Sequence, residues 1–241
     1  AVAASIGQAS LFADENGEDE RIVNWKKAER WDDRTLYTLE RDAFGFCLTG
    51  DMFDSYRVEA RNFSIPFKDV RDSREQQTIA GIVQSVRTIA GKRGTFAVVA
   101  LSDGQTTMDV LVFAKAYENY KNMLKPDEML IFTGKGRKDE RSGGMSFVCD
   151  KAITIEEMRV SRGATLLIEV SDGVALESLS QVLRKAQSSD IGTVSCEVSL
   201  LSQSKRAELT LNHRYVPSDD LINQMRGVEG VVSVKYSYEG M

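Results

Sequence analysis

Gln8, Leu11 and Phe12 stand close together near the start of the chain, in the run Gln8-Ala9-Ser10-Leu11-Phe12. A glutamine amide both donates and accepts hydrogen bonds, so it can fix direction at the rim of a pocket. The leucine and the phenylalanine can each bury surface worth about 1.5–3 kcal/mol. Residues 1–30 around them are poor in apolar side chains and carry an acidic run, Asp14, Glu15, Glu18, Asp19 and Glu20, without helical or strand period. That profile predicts a disordered, flexible tether bearing a peptide that orders on another protein's surface. The competing reading is that Leu11 and Phe12 dock on this chain's own core.

A second constellation combines cations with aromatic rings. Lys92 and Arg93 lie between Gly91 and Gly94; Arg137, Lys138 and Arg141 cluster further on; Phe96 and Phe113 fall between the two groups. Lysine and arginine neutralise phosphates and release counterions, while aromatic rings give bases a stacking platform. Such residues bind nucleic acid only if the fold gathers them on one surface. Asp139 and Glu140 dilute the second cluster, so the expected contact with single-stranded DNA is weak.

The elements needed to gather them are legible. Five strand-like runs appear at Thr78–Ile89, Thr95–Ser102, Thr106–Phe113, Met129–Lys135 and Met145–Ile153. Gly91-Lys92-Arg93-Gly94, Asp103-Gly104, Pro126-Asp127 and Ser142-Gly143-Gly144 supply the turns. Ala114–Leu124, with Tyr117, Tyr120 and Leu124 on one side, predicts a helix between the third and fourth strands. Three strands, a helix and two strands is the order of the OB-fold barrel, and Gly81 stands where its first strand must bend. The two cationic clusters then occupy the two loops with which such barrels hold oligonucleotides, and Phe96 and Phe113 lie on the second and third strands.

On either side, the patterns change. Residues 31–77 predict a helical and irregular connector: Leu36, Leu39, Ala43, Phe44, Phe46 and Cys47 recur at helical spacing, and Gly50 is the expected stop. Residues 162–241 read as an α+β domain. Its expected strands are Ala164–Val170, Thr193–Leu200, Ala207–Leu211 and Val231–Tyr236, and its helices Leu176–Ala186 and Asp219–Arg226, the second capped by Ser218. The fold class is therefore mixed: an OB barrel over 78–157, a small α+β sheet with helices on one face, and the tether.

The composition limits what these parts can do. Over 241 residues there are 31 basic and 36 acidic side chains, against the positive balance of a dedicated nucleic-acid binder. The cysteines, Cys47, Cys149 and Cys196, are far apart and read as reduced thiols of a cytoplasmic protein. There is one histidine, and the acid pairs Asp32-Asp33 and Asp219-Asp220 stand at expected helix starts, where acids are favoured electrostatically. A metal site, a catalytic site and a bound cofactor are accordingly not expected. The start at Ala1, without a basic and apolar leader, suits a fragment of a longer chain or one that has lost its initiator methionine.

Glu40-Arg41-Asp42-Ala43-Phe44-Gly45-Phe46-Cys47-Leu48-Thr49-Gly50 resembles the segment that precedes the OB domain in the alpha subunits of bacterial DNA polymerase III. Ile79-Ala80-Gly81-Ile82-Val83, Lys92-Arg93-Gly94, Val110-Leu111-Val112-Phe113, Tyr120 and Ser142-Gly143-Gly144 carry the likeness through the barrel, and Val216-Pro217-Ser218-Asp219 extends it into the tail. Gln8, Leu11 and Phe12 are similar to the peptide by which bacterial polymerases bind the beta sliding clamp. The resemblance implies that this peptide tethers a replicative polymerase to the clamp, that the barrel contacts single-stranded template, and that the tail docks onto the tau subunit of the clamp loader. His213, Arg214 and Tyr215 are the candidates for that last contact. It also implies that the magnesium-dependent nucleotidyl transfer resides in a catalytic core upstream. The likeness departs at Asp51-Met52, where the family has His-Pro, and at His213, where an aromatic residue is usual. Two rivals remain: an RNA-binding barrel of the aminoacyl-tRNA synthetase type and a free-standing single-strand-binding scaffold.

Overall fold

Strand β1, Gln77–Gly91, belongs to two ladders at once. Its first half pairs antiparallel with β4 (Met129–Lys138), and its second half with β2 (Gly94–Ser102). A strand serving two neighbours has to bend, and Gly81 stands where the ladders meet. A β-carbon there would lie 2.5 Å from the Ser102 carbonyl oxygen and 2.8 Å from the Leu101 side chain. β3 (Thr107–Val112) continues from β2, and its parallel pairing with β5 (Met145–Thr154) closes a barrel of order β1-β2-β3-β5-β4. Alternate residues of all five strands, among them Ile79, Val99, Val110, Phe132 and Phe147, fill the interior. Short helix α3 (Ala114–Tyr120) sits between β3 and β4, and Tyr117, Tyr120 and Leu124 pack against that core. The computed structural model describes residue 31 and residues 33–91, 94–139, 143–171, 173, 175–188, 192–202 and 205–238.

The connector differs from the helical reading in two ways. Helix α1 (Asp33–Phe44) ends at Gly45, whose φ of 83° lets its N–H reach the Arg41 carbonyl, and not at Gly50. Gly50 instead makes room for Tyr37. The buried side of α1 carries Tyr37 and Glu40, while Leu39, Phe44, Phe46 and Leu48 are exposed. The cause is Glu40: its carboxylate accepts hydrogen bonds from the N–H groups of Leu48 and Thr49 and from the Thr49 hydroxyl. These bonds fold the loop back over the polar residue and turn Phe46 and Leu48 outward. Arg41 joins the loop to the barrel through a bidentate pair with Asp127. Helix α2 (Asp54–Ala60) and a single 3-10 turn (Phe67–Asp69) complete the connector.

Helix α4 (Ile155–Ser161) follows the barrel directly. Thr154 and Glu157 brace its first turn reciprocally, side chain to backbone in both directions. Then come β6 (Thr165–Val170), α5 (Ala175–Ala186), β7 (Val194–Ser202), β8 (Lys205–Tyr215), α6 (Asp219–Arg226) and β9 (Val231–Ser237). They form a four-stranded sheet of order β8-β7-β6-β9, in which only β6 and β7 run parallel. One face, with Leu166, Ile168, Cys196, Val198 and Val234, packs against Leu179 and Leu183 of α5 and Leu221 and Met225 of α6. This apolar cluster does not stop at the sheet. It runs on through Ile155 and Met158, Tyr56 and Phe63 of the connector, and Ala80, Ile82 and Ile131 on the outer wall of the barrel.

At the junction of these parts lies Arg159 of α4, with 1% of its side chain exposed. Its guanidinium donates to both carboxylate oxygens of Glu59 in α2, at 2.8 and 2.9 Å. A further nitrogen donates to Asp219 at the start of α6 and to the Pro217 carbonyl. The hydroxyls of Tyr238 and Tyr56 complete the shell of Glu59 and Asp219, and the ring of Tyr236 lies 4.4 Å from the guanidinium carbon. Burial alone would lower the Arg159 pKa, but the hydrogen bonds to Glu59 and the charges of Glu59 and Asp219 together outweigh it and push the pKa up. One cation on α4, the helix that follows the barrel, thus joins the connector to the C-terminal part.

Candidate nucleic-acid interface

Strand register decides which side chains share the outside of the barrel. Ile89 of β1 lies opposite Phe96 of β2, and the Phe96 ring centroid is 5.8 Å from that of Phe113 just beyond β3. One row inward, Arg87 faces Val98, Val98 faces Leu111, Leu111 runs beside Val148, and Val148 faces Lys135. In the next row, Asp109 runs beside Ser146, and Ser146 faces Arg137. Partners across a ladder point to the same side. All of these side chains therefore point out of the closed barrel: Ile89, Phe96 and Phe113 form an apolar edge with Arg87 next to it on β1, and Lys135 and Arg137 lie further round the wall on β4. From Arg87 to Lys135 the face crosses four inter-strand steps, about 19 Å of arc at ~4.8 Å each. Ile89 and Phe113 are 43% and 45% exposed, so their surfaces are open to a ligand.

The chemistry of this face is that of stacking and phosphate contact. Two tilted rings with an open edge offer a base a flat apolar partner. Arg87 approaches Asp109 only at 3.9 Å, with both side chains largely exposed. Such a pair is weak and is readily replaced by a phosphate. Lys135 and Arg137 are exposed and form no ion pair among the described residues.

Of the residues expected to bind DNA, the structure brings Phe96 and Phe113 together, while Arg137 points outward from β4, further round the wall. Lys138 is separated from them: it lies opposite Met145, whose side chain packs toward the barrel core, so successive residues of β4 send Arg137 and Lys138 to opposite faces. Both belong to strand β4 and not to the β4–β5 loop, because the ladder runs on to the Lys138–Met145 pair. Lys92, Arg93 and Arg141 lie outside the described residues, as do Gln8, Leu11 and Phe12. Arg87, Ile89 and Lys135 were missed. Counting by twos from Phe96 through its ladder partners is the signal that points to them, since Ile89 shares the row of Phe96 and Arg87 and Lys135 share the next outward row.

In the tail, His213 is exposed. Arg214 is held by Thr193, donating to its hydroxyl at 3.0 Å and its carbonyl at 2.8 Å. Tyr215 is corrected: it is only 2% exposed and is a core residue, not a surface contact. Its ring is buried on the strand end opposite Val194, and burial raises the pKa of its hydroxyl. Among the described residues no helix is long and apolar enough to cross a membrane.

Residues 77–160, the whole barrel and most of α4, match the family model of the OB-fold nucleic acid binding domain. The DNA polymerase III subunit alpha of Escherichia coli (strain K12) is 27% identical over 248 aligned positions, which take in 99% of this chain and 21% of that protein. By sequence, this chain is similar to the DNA polymerase III alpha subunit. The alpha subunits of Vibrio cholerae (serotype O1) and Neisseria meningitidis (serogroup B) match at 27% and 25% identity, each over 98% of the chain. The chain spans about a fifth of the length of the curated alpha subunits it matches. In this chain Asp51-Met52 has a clear local role. The Asp51 carboxylate accepts the Phe53 N–H, its own N–H donates to Asp54, and Met52 is buried, so the pair sets the start of α2.

Proposed function

We propose that this chain is a non-catalytic part of a cytoplasmic replicative DNA polymerase, and that its barrel holds single-stranded template DNA. The observation that carries the reading is the outer wall of the barrel, where the Phe96–Phe113 pair lies beside Ile89 and Arg87, with Lys135 and Arg137 pointing outward from β4. Stacking on such rings is worth about 1–3 kcal/mol per base, and the cations add a salt-dependent phosphate term. Against them stands the chain's net charge of −5, which does not concentrate DNA around it. The balance is a weak complex that depends on salt. It suits a polymerase already held near DNA: the peptide Gln8, Leu11 and Phe12 binds the beta sliding clamp, and the C-terminal sheet, with exposed His213, meets the tau subunit of the clamp loader. Tethering raises the local concentration of DNA, so the barrel does not have to bind tightly. Nucleotidyl transfer, with its magnesium ions, then belongs to another part of the polymerase.

Fluorescence anisotropy of a labelled oligothymidylate tests the barrel reading. Phe96→Ala with Phe113→Ala removes the stacking platform and should weaken binding by a factor of ~5–150 for each stacked base, from ~1–3 kcal/mol. Lys135→Ala with Arg137→Ala should flatten the salt dependence by about 1.4 in the log–log slope, from ~0.7 per phosphate contact on a single strand. Parental binding in both variants would show that DNA does not use this face.

A further inference from the structure

A cleft of about 130 Å³ opens between the connector and the β2–β3 turn, lined by Arg57, Arg61, Lys68, Asp103 and Gln105 over an apolar floor that includes Phe53. Arg57 of α2 and Arg61, the cap residue just past its end, are four residues apart, a like-charge spacing that is unfavourable when nothing lies between the two. Arg57 is already fixed. It donates two hydrogen bonds to Asp54 and lies 5.6 Å from the Phe53 ring centroid. Its guanidinium also reaches the turn only because Gly104 has no side chain, since a β-carbon there would stand 2.7 Å from an Arg57 nitrogen. Arg61 and Lys68 are exposed and form no ion pair among the described residues. The one carboxylate lining the cleft does not oppose them freely: Asp103 accepts the N–H groups of Phe67, Gln105 and Thr106. A fixed guanidinium and two cations without an ion pair, beside an acid whose oxygens are engaged by backbone N–H groups, form a cradle for a phosphate group.

We propose that this cleft is a second phosphate site, which takes the backbone of a DNA strand running on from the aromatic edge of the barrel. The geometry favours a strand over a free ion. β2 leads from Phe96 at that edge to Ser102 beside the cleft, six residues or about 20 Å at ~3.4 Å per residue. An oligonucleotide stacked on Phe96 reaches the cleft only if it is several nucleotides long. The inference rests on the proposed single-strand binding, and the experiment separates the two.

Oligothymidylates of about 4 and about 16 nucleotides, which bracket the site sizes of OB barrels, are titrated against the parent chain, Arg61→Ala/Lys68→Ala, and Phe96→Ala/Phe113→Ala. All are first checked for unchanged circular dichroism. The cleft variant should bind the short oligomer like the parent and bind the long one with a salt slope reduced by about 1.4, two contacts at ~0.7 each. The aromatic variant should weaken both lengths. An unchanged slope for the long oligomer, or equal weakening of both lengths in the cleft variant, overturns the proposal. Binding of inorganic phosphate that the cleft variant loses while its long-oligomer binding stays parental would assign the site to the free ion and overturn the strand reading. A slope loss in the cleft variant beside a silent aromatic variant would keep the cleft and discard the aromatic edge.

Discussion

Replacing Arg159 with methionine keeps most of the side chain's volume and removes its charge. What remains is costly: Glu59 and Asp219, with 13% and 19% of their side chains exposed, stay behind without the cation that compensates them. Tyr238 and Tyr56 still donate to these carboxylates, but a hydroxyl carries no charge. Removing one partner of a buried ion pair costs about 3–5 kcal/mol, and the bidentate Glu59 contact places Arg159 in that range. A triple variant, Arg159→Met with Glu59→Gln and Asp219→Asn, removes the charges together and should recover much of the loss, because replacing a whole buried network is often near neutral. Urea unfolding followed by far-ultraviolet circular dichroism and tyrosine fluorescence reads both effects. The single variant should lose ~3–5 kcal/mol, and the two probes should separate as the C-terminal sheet loosens from the barrel before either unfolds. A loss under ~1 kcal/mol, the usual worth of an exposed pair, with the probes still coincident, would refute the idea that this cation holds the parts together.

Other outcomes follow from particular groups. The backbone N–H of Thr49 and its neighbours hold the Glu40 carboxyl below its usual range. Its contribution is therefore present above the ordinary glutamate pKa of ~4.3 and is lost as pH falls through the lower folded value. Hydrogen exchange at Leu48 and Thr49 should accelerate in acid in the parent, whereas Glu40→Gln should show no such transition; identical profiles would disprove the link. Burial pushes the thiols of Cys149 and Cys196 up to about 12, so a thiol reagent at pH 8 should modify Cys47 first and the other two only on unfolding. Early labelling of Cys196, read by peptide mass spectrometry, would mean that the C-terminal sheet opens locally. Leu11→Ala with Phe12→Ala removes two anchors of ~1.5–3 kcal/mol each and should abolish binding to a purified sliding clamp; a double variant that binds like the parent would remove the clamp from the list of partners.

The barrel was legible because its signals are local. Apolar, β-branched runs in Thr95–Ser102 and Thr106–Phe113, with Gly94 and Gly104 at the turns that precede them, mark strands. Register is not local, and it misplaced Lys138 and concealed Arg87 and Lys135, whose roles depend on partners several strands away. Helix α1 was located, but its buried side was misread. Phe44 and Phe46 have core spacing, yet the hydrogen bonds from Leu48 and Thr49 to Glu40 turn the apolar side out. Helix α2, seven residues without a side-chain cap, offers too little period to detect. Arg159 could not have been found at all: its partners Glu59 and Asp219 lie 100 and 60 residues away.

The apolar cluster beneath the C-terminal sheet has a bearing on how such genes recombine. Ala80, Ile82, Met129 and Ile131 face out of the barrel and into that cluster, where they meet side chains of the connector and of α4. A crossover that exchanged only the stretch coding for the barrel would bring a foreign outer wall against an unaltered connector and tail. The mismatch would leave voids or clashes among buried residues, each a cost felt even at the scale of one methylene. Inheritance is thereby expected to keep the stretch from α1 to β9 in one block.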